Sequence, residues 1–528
     1  MIYYSTYPEV EIPTGSIYDY IFNSLKEEEL DRIAVIDGMQ KISYGQLRQR
    51  IDALAGGFRA RGIKQGDVIA LHAPNSADFV ITFHAILRAG ATVTTLNVLY
   101  SPAEISNQIK DSEAKLCITT SMFLENAVAG VIDAGLSHEQ VIVIGHTENY
   151  LSISELISQN YKPPEDFVEA ALQLAALPYS SGTTGKAKGV MLTHRNLVAN
   201  IAQCSSVLPI RQDDTVLAVL PFFHIYGMNV IMNLTLRQRG KLVILPKFDL
   251  KPFLELIQNE KCSSIYIAPP IAVALTKHPL VKEYDLSSIR TIICGAAPMD
   301  EALGAALTAQ IPAVLLQGFG MTELSPVSHV TPLNNPDIPV GSIGFAIPNI
   351  SFKVIDPQTG NLIEKVQNGR TQAGEMLIKG PNVMVGYLNN KEATGSTITL
   401  DGYLHTGDIV EVGPQGEVYV VDRLKELIKY KGYQVPPAEL EALLLTHPAI
   451  ADVAVVAHPD ENAGEIPRAF IVLQPNSNVN KNEIMAFVAT KVAPHKRIRI
   501  VDFIEAIPKS QSGKILRKEL RGLPLSAD

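Results

Sequence analysis

The chain has 528 residues and a mass of 57.4 kDa, which is more than one hydrophobic core usually supports, so we expect two or more domains. Hydrophobic residues make up 46% and charged residues 19%, a balance that excludes a disordered or fibrous chain and is typical of a globular enzyme. The net charge of -9 disfavours a nucleic-acid partner.

The cysteines and the two termini bear on the cellular compartment. Cys117, Cys204, Cys262 and Cys294 are widely spaced, without a CxxC pair or a Cys/His cluster, and predict reduced thiols instead of disulfides or a zinc site. The amino terminus lacks the basic region and apolar core of a signal peptide, and no uncharged apolar run is long enough to span a membrane. The last four residues form no peroxisomal or retention signal. We therefore expect a cytoplasmic protein without integral membrane association.

Short apolar runs alternate with amphipathic segments through most of the amino-terminal part of the chain. The predicted strands are 68–72, 116–119, 141–144, 215–220 and 242–245, and the predicted helices are 44–61, 77–90 and 102–110. This alternation predicts an α/β fold in which parallel sheets are covered by helices on both faces. Ligands of such folds usually lie at the carboxyl ends of strands.

Ser180 to Gly185 is a run of six small or hydroxylated residues, followed by Lys186 and Lys188. Clustered N–H and O–H donors are typical of a loop that binds phosphate, and glycines let the backbone approach a ligand closely. Apolar runs on either side predict that the loop joins two buried strands. It is not the P-loop of Walker NTPases, because position 180 is Ser and Ala187 follows Lys186. A flexible surface linker is the alternative that this loop alone leaves open.

Beyond about residue 340 the sequence consists of short segments rich in β-branched residues and separated by glycines. This pattern predicts a β-rich subdomain over about 340–422. A charged break over 422–425 then marks a domain boundary. The segments that follow are a predicted helix over 437–445, a strand over 453–456, a helix over 482–492 and a basic tail. The expected organisation is a large amino-terminal domain over 1–422 and a small α+β carboxy-terminal domain over 423–528.

Five motifs occur in order along nearly the whole chain, namely 179–189 (YSSGTTGKAKG), 317–323 (QGFGMTE), 404–408 (LHTGD), 421–432 (VDRLKELIKYKG) and 508–516 (PKSQSGKIL). Together they resemble the adenylate-forming superfamily of acyl-CoA synthetases, peptide-synthetase adenylation domains and luciferases. Within that superfamily, segments 220–227 (LPFFHIYG) and 426–437 look most like 4-coumarate:CoA ligases, including bacterial ones that act on cinnamate.

The resemblance implies two half-reactions. A carboxylate attacks the α-phosphorus of ATP to give an acyl-adenylate and pyrophosphate, and the thiol of coenzyme A then displaces AMP. Thr183 and Glu323 match the positions that hold Mg²⁺, a hard cation that prefers oxygen ligands. Asp408 matches the acceptor of the ribose hydroxyls, and a turn-forming Asp is its alternative reading. The positions matched to ATP or AMP are Ser180, Ser181, Gly182, Thr183, Thr184, Gly185, Lys188, Gln317, Gly318, Thr322, Asp408, Arg423 and Lys514.

In the resemblance, different lysines serve the two half-reactions. Lys514 is similar to the adenylation lysine, whose ammonium stabilises the charge that develops on the carboxylate and the phosphorus. Without the resemblance, residues 509–518 would be interpreted as a solvated basic tail. The resemblance further implies that the carboxy-terminal domain is mobile and rotates after adenylation. Lys429 and Gln434 then assist thioester formation, and the matches to coenzyme A contacts are Lys247, Lys431 and Gly432.

The acyl pocket is expected after the predicted strand 215–220. There His224 matches a catalytic position and Tyr226 suits an aromatic acid, although a lone Tyr is more often simple packing. The other predicted pocket residues are Ile293, Cys294, Gly295, Ala296, Gly318 and Gly320. Plant 4-coumarate ligases carry Lys-Ser where this chain has Ile293-Cys294, so a partner for the para-hydroxyl is missing and we expect cinnamate to be used at least as well as 4-coumarate.

Three other functions stay open at this point. They are a medium-chain fatty acid:CoA ligase, a luciferase-like oxygenase and an adenylation enzyme that loads a carrier protein. The expected partners are therefore a small carboxylic acid, ATP with Mg²⁺, and coenzyme A, in a monomer or homodimer.

Overall fold

The computed structural model describes residues 1–165, 168–180, 187–297, 299, 301–333, 338–364, 369–431, 433–460, 462–475, 477–510 and 513–525. In chain order the strands are β1 Ile2–Tyr4, β2 Ile33–Asp37, β3 Gln40–Ser43, β4 Val68–His72, β5 Thr92–Thr95, β6 Leu116–Thr120, β7 Val141–Ile144, β8 Leu174–Ala176, β9 Tyr179–Ser180, β10 Lys188–Thr193, β11 Thr215–Ala218, β12 Lys241–Ile244, β13 Ser264–Ile267, β14 Thr291–Cys294, β15 Val314–Gly320, β16 Val327–Val330, β17 Phe345–Ala346, β18 Ser351–Ile355, β19 Gly374–Lys379, β20 Gly386–Tyr387, β21 Leu404–Val412, β22 Val418–Arg423, β23 Ile428–Tyr430, β24 Tyr433–Val435, β25 Ile450–Asp460, β26 Gly464–Leu473 and β27 Ile500–Phe503.

The α-helices are α1 Tyr44–Ala60, α2 Ala77–Arg88, α3 Pro102–Ser112, α4 Leu124–Asp133, α5 Ile153–Ser158, α6 His194–Val207, α7 Leu234–Arg237, α8 Leu250–Glu260, α9 Pro269–Lys277, α10 Glu301–Gln310, α11 Lys391–Thr397, α12 Pro437–Leu445, α13 Lys481–Ala489 and α14 Arg517–Arg521. Short 3₁₀ or π segments are Asp19–Asn23, Glu27–Glu29, Ser121–Phe123, His138–Gln140, Tyr226–Asn233, Pro279–Glu283, Thr322–Leu324 and Pro494–Lys496.

Local sequence explains where the helices begin and which face they bury. At the start of α1, the Ser43 Oγ accepts a hydrogen bond from the Gln46 N–H, and the Ser43 N–H donates one to the Gln46 side-chain oxygen. The buried positions of the same helix include Leu47, Ile51 and Leu54, which recur at helical spacing. None of the helices in the described ranges combines the length and apolarity that a membrane span requires.

The first sheet has the order β20-β10-β8-β5-β4-β6-β7, with β9 paired to β10. Strands β8, β5, β4, β6 and β7 run parallel, and nearly all of their residues are buried. By contrast, β10 is antiparallel to β8, β9 and β20. Helix α2 packs on β4 and β5, while α4 packs on β6 and β7.

The second sheet has the order β17-β16-β15-β14-β13-β11-β12-β2-β3. Its central strands from β15 to β2 are parallel, and both edges are antiparallel. Cys294 at the end of β14 lies opposite Gln317 of β15. This register places the segments that follow Cys294 and Gln317 side by side at one edge of the sheet.

The third sheet, β1-β18-β19-β21-β22, is antiparallel throughout. It contains the segment that the sequence predicts to be β-rich, with the amino-terminal strand added at one edge. A continuous hydrophobic core runs through the first three sheets, from Ile17 to Val418.

The carboxy-terminal part forms a separate sheet, β24-β23-β26-β25, with β27 parallel to β26. Its main buried cluster begins at Ile428 and ends at Val501, and contains no residue of the preceding core. Helices α12 and α13 contribute Leu440, Leu444 and Ile484 to it. The domain limits 1–422 and 423–528 stay a prediction.

The predicted α/β class, with its β-rich part and small α+β module, is confirmed. One detail differs, because the phosphate-loop segment connects antiparallel strands β9 and β10 and does not follow a parallel strand. The reason is chain length, since a parallel connection needs a crossover of a dozen or more residues, whereas an antiparallel pair needs only a short turn.

Candidate active site

The predicted phosphate loop is held at both ends by a hairpin. Lys188 of β10 lies opposite Ser180 of β9, and Gly189 lies opposite Tyr179. The described residues on either side of the loop are therefore neighbours in the sheet. The loop positions Ser181, Gly182, Thr183, Thr184 and Gly185 lie outside the described residues.

Glu323 and Lys188 meet the same tyrosine. The carboxylate of Glu323 is buried in the turn Thr322–Leu324, and its Oε1 accepts a hydrogen bond from Tyr387 Oη at 2.9 Å. The Met384 N–H donates to the main-chain oxygen of Glu323 at 2.8 Å. Lys188 Nζ lies 4.7 Å from the ring centroid of Tyr387, within cation–π range. Two ionisable groups predicted to contact ATP and its metal are thus joined through one side chain.

The environment of Glu323 fits Mg²⁺, which proteins usually bind through one or two carboxylates together with phosphate oxygens and water. Among the described residues, no donor lies within hydrogen-bond range of the second oxygen, Glu323 Oε2. Nowhere in the described ranges do three His, Cys, Asp or Glu side chains converge as a metal cage. The agreement with a Mg²⁺ site therefore depends on Glu323, because the second predicted ligand, Thr183, lies outside the described residues.

Asp408 and Arg423 face each other across the third sheet. They are paired in register on β21 and β22, and Arg423 Nε lies 3.5 Å from Asp408 Oδ1. Burial raises the pKa of the Asp408 carboxyl to about 6, although the charges of Arg423 and Lys514 oppose that rise. A largely buried carboxylate with one exposed cationic partner can accept hydrogen bonds from a ligand's hydroxyls.

Lys514 sits in a turn that docks on the large amino-terminal part. The Ser510 N–H donates to the Lys514 oxygen at 2.8 Å, and the Gly513 N–H donates to the Ser510 oxygen at 2.9 Å. Gly513 has φ +82°, a left-handed conformation that favours glycine. A Cβ built at Gly513 would lie 3.2 Å from Pro270 and 3.4 Å from Ala268, so the turn packs against the start of α9.

The electrostatics of Lys514 identify its neighbours. The surrounding protein lowers the pKa of its ammonium, and the Arg423 guanidinium acts in the same direction. The carboxylates of Asp408 and Glu323 oppose that shift. Residues far apart in sequence, on the turn, β21 and the Thr322–Leu324 segment, are therefore close enough for their charges to interact, and we call the place where they meet the cleft.

His224 lies at the same cleft, between the end of β11 and the π segment Tyr226–Asn233. The Thr95 hydroxyl donates to the Phe223 main-chain oxygen at 2.7 Å, which anchors the turn. Burial lowers the pKa of His224 to about 4, and the nearby Lys514 charge adds to the effect. The imidazole is therefore neutral near pH 7, with one N–H donor and one acceptor nitrogen.

The predicted acyl-pocket residues gather around Tyr226. Its hydroxyl donates to the Ile293 main-chain oxygen at 3.3 Å. A Cβ at Gly295 would lie 3.1 Å from the Tyr226 ring, so a larger residue there would require the ring to shift by a few tenths of an ångström. Ile293 and Cys294 are buried, and Ala296 follows with φ +73°. The structure thus places Tyr226 against Ile293 and Gly295, and the assignment of these residues to an acyl pocket stays a prediction.

The Gln317 side chain, which the sequence predicts to contact ATP, forms hydrogen bonds with main-chain groups of the protein. Its amide nitrogen donates to the main-chain oxygens of Met299 and Val340, and its Oε1 accepts from the Met299 N–H. The side chain therefore ties the segment after β14 to β15. Gly318 and Gly320 follow on the same strand, where a Cβ at Gly320 would come within 2.3 Å of the Pro326 oxygen.

The residues predicted for the second half-reaction lie on other elements, the β23–β24 hairpin and the segment after β12. Lys429 lies opposite Gln434 on the β23–β24 hairpin, and the Lys429 and Lys431 N–H groups donate to Glu465 and Ala463 of the carboxy-terminal part. Both lysines are exposed, as is Lys247 after β12. Gly432 and the side chain of Gln434 lie outside the described residues.

Sequence reasoning missed three features of this region. Tyr387 was not predicted as a site residue, although a Tyr between two short motifs is a weak signal that could have drawn attention to it. The ring of Tyr266 packs edge-on against Tyr226 at 6.2 Å, and its buried hydroxyl has no hydrogen-bond partner in the described part of the chain. Arg517 lies 3.0 Å from Glu426 and 2.6 Å from Glu441, which ties the Lys514 segment to α12.

Comparison with known proteins assigns the class that this fold and cleft indicate. The family described as "AMP-binding enzyme" matches residues 22–388, and "AMP-binding enzyme C-terminal domain" matches residues 439–514. The chain belongs to the AMP-binding enzyme family and is a ligase of the adenylate-forming type.

Particular relatives are similar over the whole length. "4-coumarate--CoA ligase 5" of Oryza sativa subsp. japonica is 41% identical over 98% of this chain and 97% of its own. "4-coumarate--CoA ligase 1" of Arabidopsis thaliana is 42% identical over 99% of this chain and 95% of its own. The crystal structure of ATP-bound MatB from Rhodopseudomonas palustris is 28% identical, covers 96% of this chain and 98% of its own, and has a TM-score of 0.88. The apo crystal structure of MatB, with the same identity and coverage, has a TM-score of 0.77.

Proposed function

We propose that the chain is an ATP- and Mg²⁺-dependent ligase that converts a phenylpropenoic acid, of the cinnamate or 4-coumarate type, into its coenzyme A thioester through an acyl-adenylate. The observation that carries this proposal is that the Lys514 turn docks against Ala268 and Pro270, where the Lys514 charge acts on Asp408, Glu323 and His224. The identity of 41–42% to ligases named for 4-coumarate supports the acid class.

In the first half-reaction, a carboxylate oxygen of the acid bonds to the α-phosphorus of ATP. The bond from that phosphorus to the bridging oxygen breaks, and pyrophosphate leaves with the electron pair. The Lys514 ammonium stabilises the negative charge on the carboxylate and on the five-coordinate phosphorus. Neutral His224 offers an N–H to a carboxylate oxygen, and Asp408 accepts hydrogen bonds from the ribose hydroxyls. Mg²⁺ bound by Glu323 and Thr183 would neutralise charge on the departing pyrophosphate.

The arrangement of the two parts supports the adenylating conformation. The turn of Lys514 lies against Ala268 and Pro270, and the TM-score is higher against ATP-bound MatB than against the apo form, 0.88 compared with 0.77. The Lys429–Gln434 hairpin instead pairs with the carboxy-terminal sheet, where Lys429 is exposed. We infer that rotation of the carboxy-terminal module withdraws Lys514 and brings in this hairpin.

In the second half-reaction, the sulfur of coenzyme A bonds to the acyl carbon, the bond from that carbon to the AMP phosphate oxygen breaks, and the thiol proton passes to solvent. Lys429 and Gln434 would assist this step. Lys247, Lys431 and Gly432 would contact coenzyme A, whose phosphates are attracted by local positive charge.

The pocket favours an aromatic acid without a required ring hydroxyl. The side chains at Ile293 and Cys294 are buried and offer no strong hydrogen-bonding group, and the Tyr226 hydroxyl already bonds to a main-chain oxygen. A buried hydroxyl without a partner costs about 1–3 kcal/mol. We therefore expect cinnamate to be used at least as well as 4-coumarate.

A panel of aryl and alkyl acids, assayed for thioester formation that depends on both ATP and coenzyme A, tests the proposal. We expect the highest kcat/KM for phenylpropenoic acids, with cinnamate equal to or above 4-coumarate. A strong preference for 4-coumarate, caffeate or ferulate would refute the pocket argument, and Tyr266→Phe would then show whether the unpaired Tyr266 hydroxyl recognises the ring. Highest activity with medium-chain fatty acids would refute the acid class while leaving the ligase reaction intact.

A further inference from the structure

Tyr387 joins the two charged groups that flank the predicted triphosphate site, and neither family matching nor the reaction assigns it a task. Its hydroxyl donates to Glu323 Oε1 at 2.9 Å in a buried bond, and Lys188 Nζ lies 4.7 Å from its ring centroid. Among the described residues, the contact that Lys188 and Glu323 share is with this tyrosine, and no ion pair joins them directly. Tyr387 therefore contacts both an ammonium and a carboxylate of opposite charge.

The backbone of Tyr387 is fixed to the strand that leads out of the phosphate loop. Tyr387 pairs with Val190 of β10, and the flanking Leu388 N–H donates to the Gly189 oxygen at 2.8 Å. The Tyr387 N–H donates to Thr394 Oγ1 at 2.9 Å. These bonds restrict motion of the Tyr387 backbone relative to β10.

The same segment also holds the main chain of Glu323. The Met384 N–H donates to the Glu323 oxygen at 2.8 Å, three residues before the side-chain contact from Tyr387. Glu323 is therefore bound at its backbone and at one carboxylate oxygen by a single short segment. A carboxylate held at Oε1 has a fixed orientation, which leaves Oε2 without a protein donor among the described residues.

We propose that Tyr387 is a positioning residue for the metal and triphosphate site, a role that rests on the proposed function. Its hydroxyl orients the Glu323 carboxylate so that one oxygen remains for Mg²⁺, and its ring holds the Lys188 ammonium apart from that carboxylate, so that the ammonium stays available to phosphate oxygens. Tyr387 itself contacts neither the metal nor the nucleotide.

The experiment is isothermal titration calorimetry of the full chain with ATP in Mg²⁺, with ATP in EDTA, and with AMP, which needs no metal. Tyr387→Phe removes the hydroxyl and keeps the ring, whereas Tyr387→Leu removes both. For Tyr387→Phe we expect about 10- to 100-fold weaker binding of ATP in Mg²⁺, as is typical when a residue that supports a metal ligand is lost. Binding of AMP and of ATP in EDTA should stay within about twofold. Tyr387→Leu should in addition weaken ATP in EDTA by a few fold, through loss of the cation–π contact.

Two results would overturn the inference. One is unchanged Mg²⁺-dependent ATP binding in Tyr387→Phe, and the other is an equal loss for ATP and AMP, which would indicate general damage to the fold. Thermal unfolding of each variant separates the second case from a local effect. Failure of the proposed function is recognised differently, in the wild-type chain itself, where Mg²⁺ would then give ATP no gain in affinity over EDTA.

Discussion

The role of Asp408 can be tested by replacing one oxygen of its carboxylate. In Asp408→Asn the shape is kept and the negative charge is lost. Hydrogen bonds to a charged group contribute about 1.5–3 kcal/mol, compared with about 0.5–1.5 kcal/mol for neutral pairs, a difference of about 1 kcal/mol for each ribose hydroxyl. Two hydroxyls give about 2 kcal/mol, which corresponds to roughly 30-fold weaker ATP binding.

Loss of the Asp408–Arg423 ion pair adds little to the expected loss of ATP affinity. The Arg423 side chain is 42% exposed, so water replaces the lost partner, and exposed ion pairs contribute about 0–1 kcal/mol. The pH of the assay matters more, because burial raises the pKa of Asp408 to about 6. At pH 8 the carboxyl is about 99% ionised. ATP affinity of the wild type should fall as the pH drops through about 6, whereas that of Asp408→Asn should not change there.

The assay is calorimetric titration with ATP and with 2′,3′-dideoxy-ATP, which lacks both hydroxyls. Wild type and Asp408→Asn should differ about 30-fold for ATP and less than about twofold for the dideoxy nucleotide. An equal loss for the two nucleotides would refute the reasoning, because Asp408 would then act on the fold or on another part of ATP.

Three further predictions concern the neighbouring elements. Lys514→Ala should slow adenylation by at least about 100-fold, because it removes a charge that stabilises the transition state, and should leave thioester formation from supplied acyl-AMP largely intact; equal loss of both steps would contradict the assigned role. Arg517→Met should destabilise the carboxy-terminal part by about 3–5 kcal/mol in denaturant unfolding, since Glu426 and Glu441 lose their buried counter-charge, and Arg517→Lys should cost less. Gly227→Ala should lower stability by about 1–3 kcal/mol, because its Cβ would lie 2.1 Å from the Pro221 oxygen, whereas Gly341→Ala, with no atom within 4 Å, should have little effect. Equal melting temperatures for these two glycine variants would show that the turn before Tyr226 relaxes freely.

The local sequence pattern was sufficient to predict many of the helices and strands. Apolar residues at helical spacing predict α1, and the helices expected from 44, 77, 102 and 437 begin at those residues in the structure. Apolar alternation predicts the α/β class because buried parallel strands and their covering helices leave short-range signatures in the sequence. The pairing of strands such as β10 could not be predicted in this way, because whether it is parallel or antiparallel depends on partners elsewhere in the chain.

For the candidate site, too, some features could be predicted from the sequence and others depended on the tertiary structure. The resemblance of the ordered motifs to adenylate-forming enzymes nominated Asp408, Glu323 and Lys514 as members of one site, and the chemistry of these residue types agrees with the roles it implies. Only the tertiary structure decided that Tyr387 bridges Glu323 and Lys188, that Gln317 is engaged by the main chain, and that Lys514, not Lys429, faces Asp408. Such contacts join residues far apart in sequence, and they depend on sheet register and on how the carboxy-terminal part docks, which local composition does not encode.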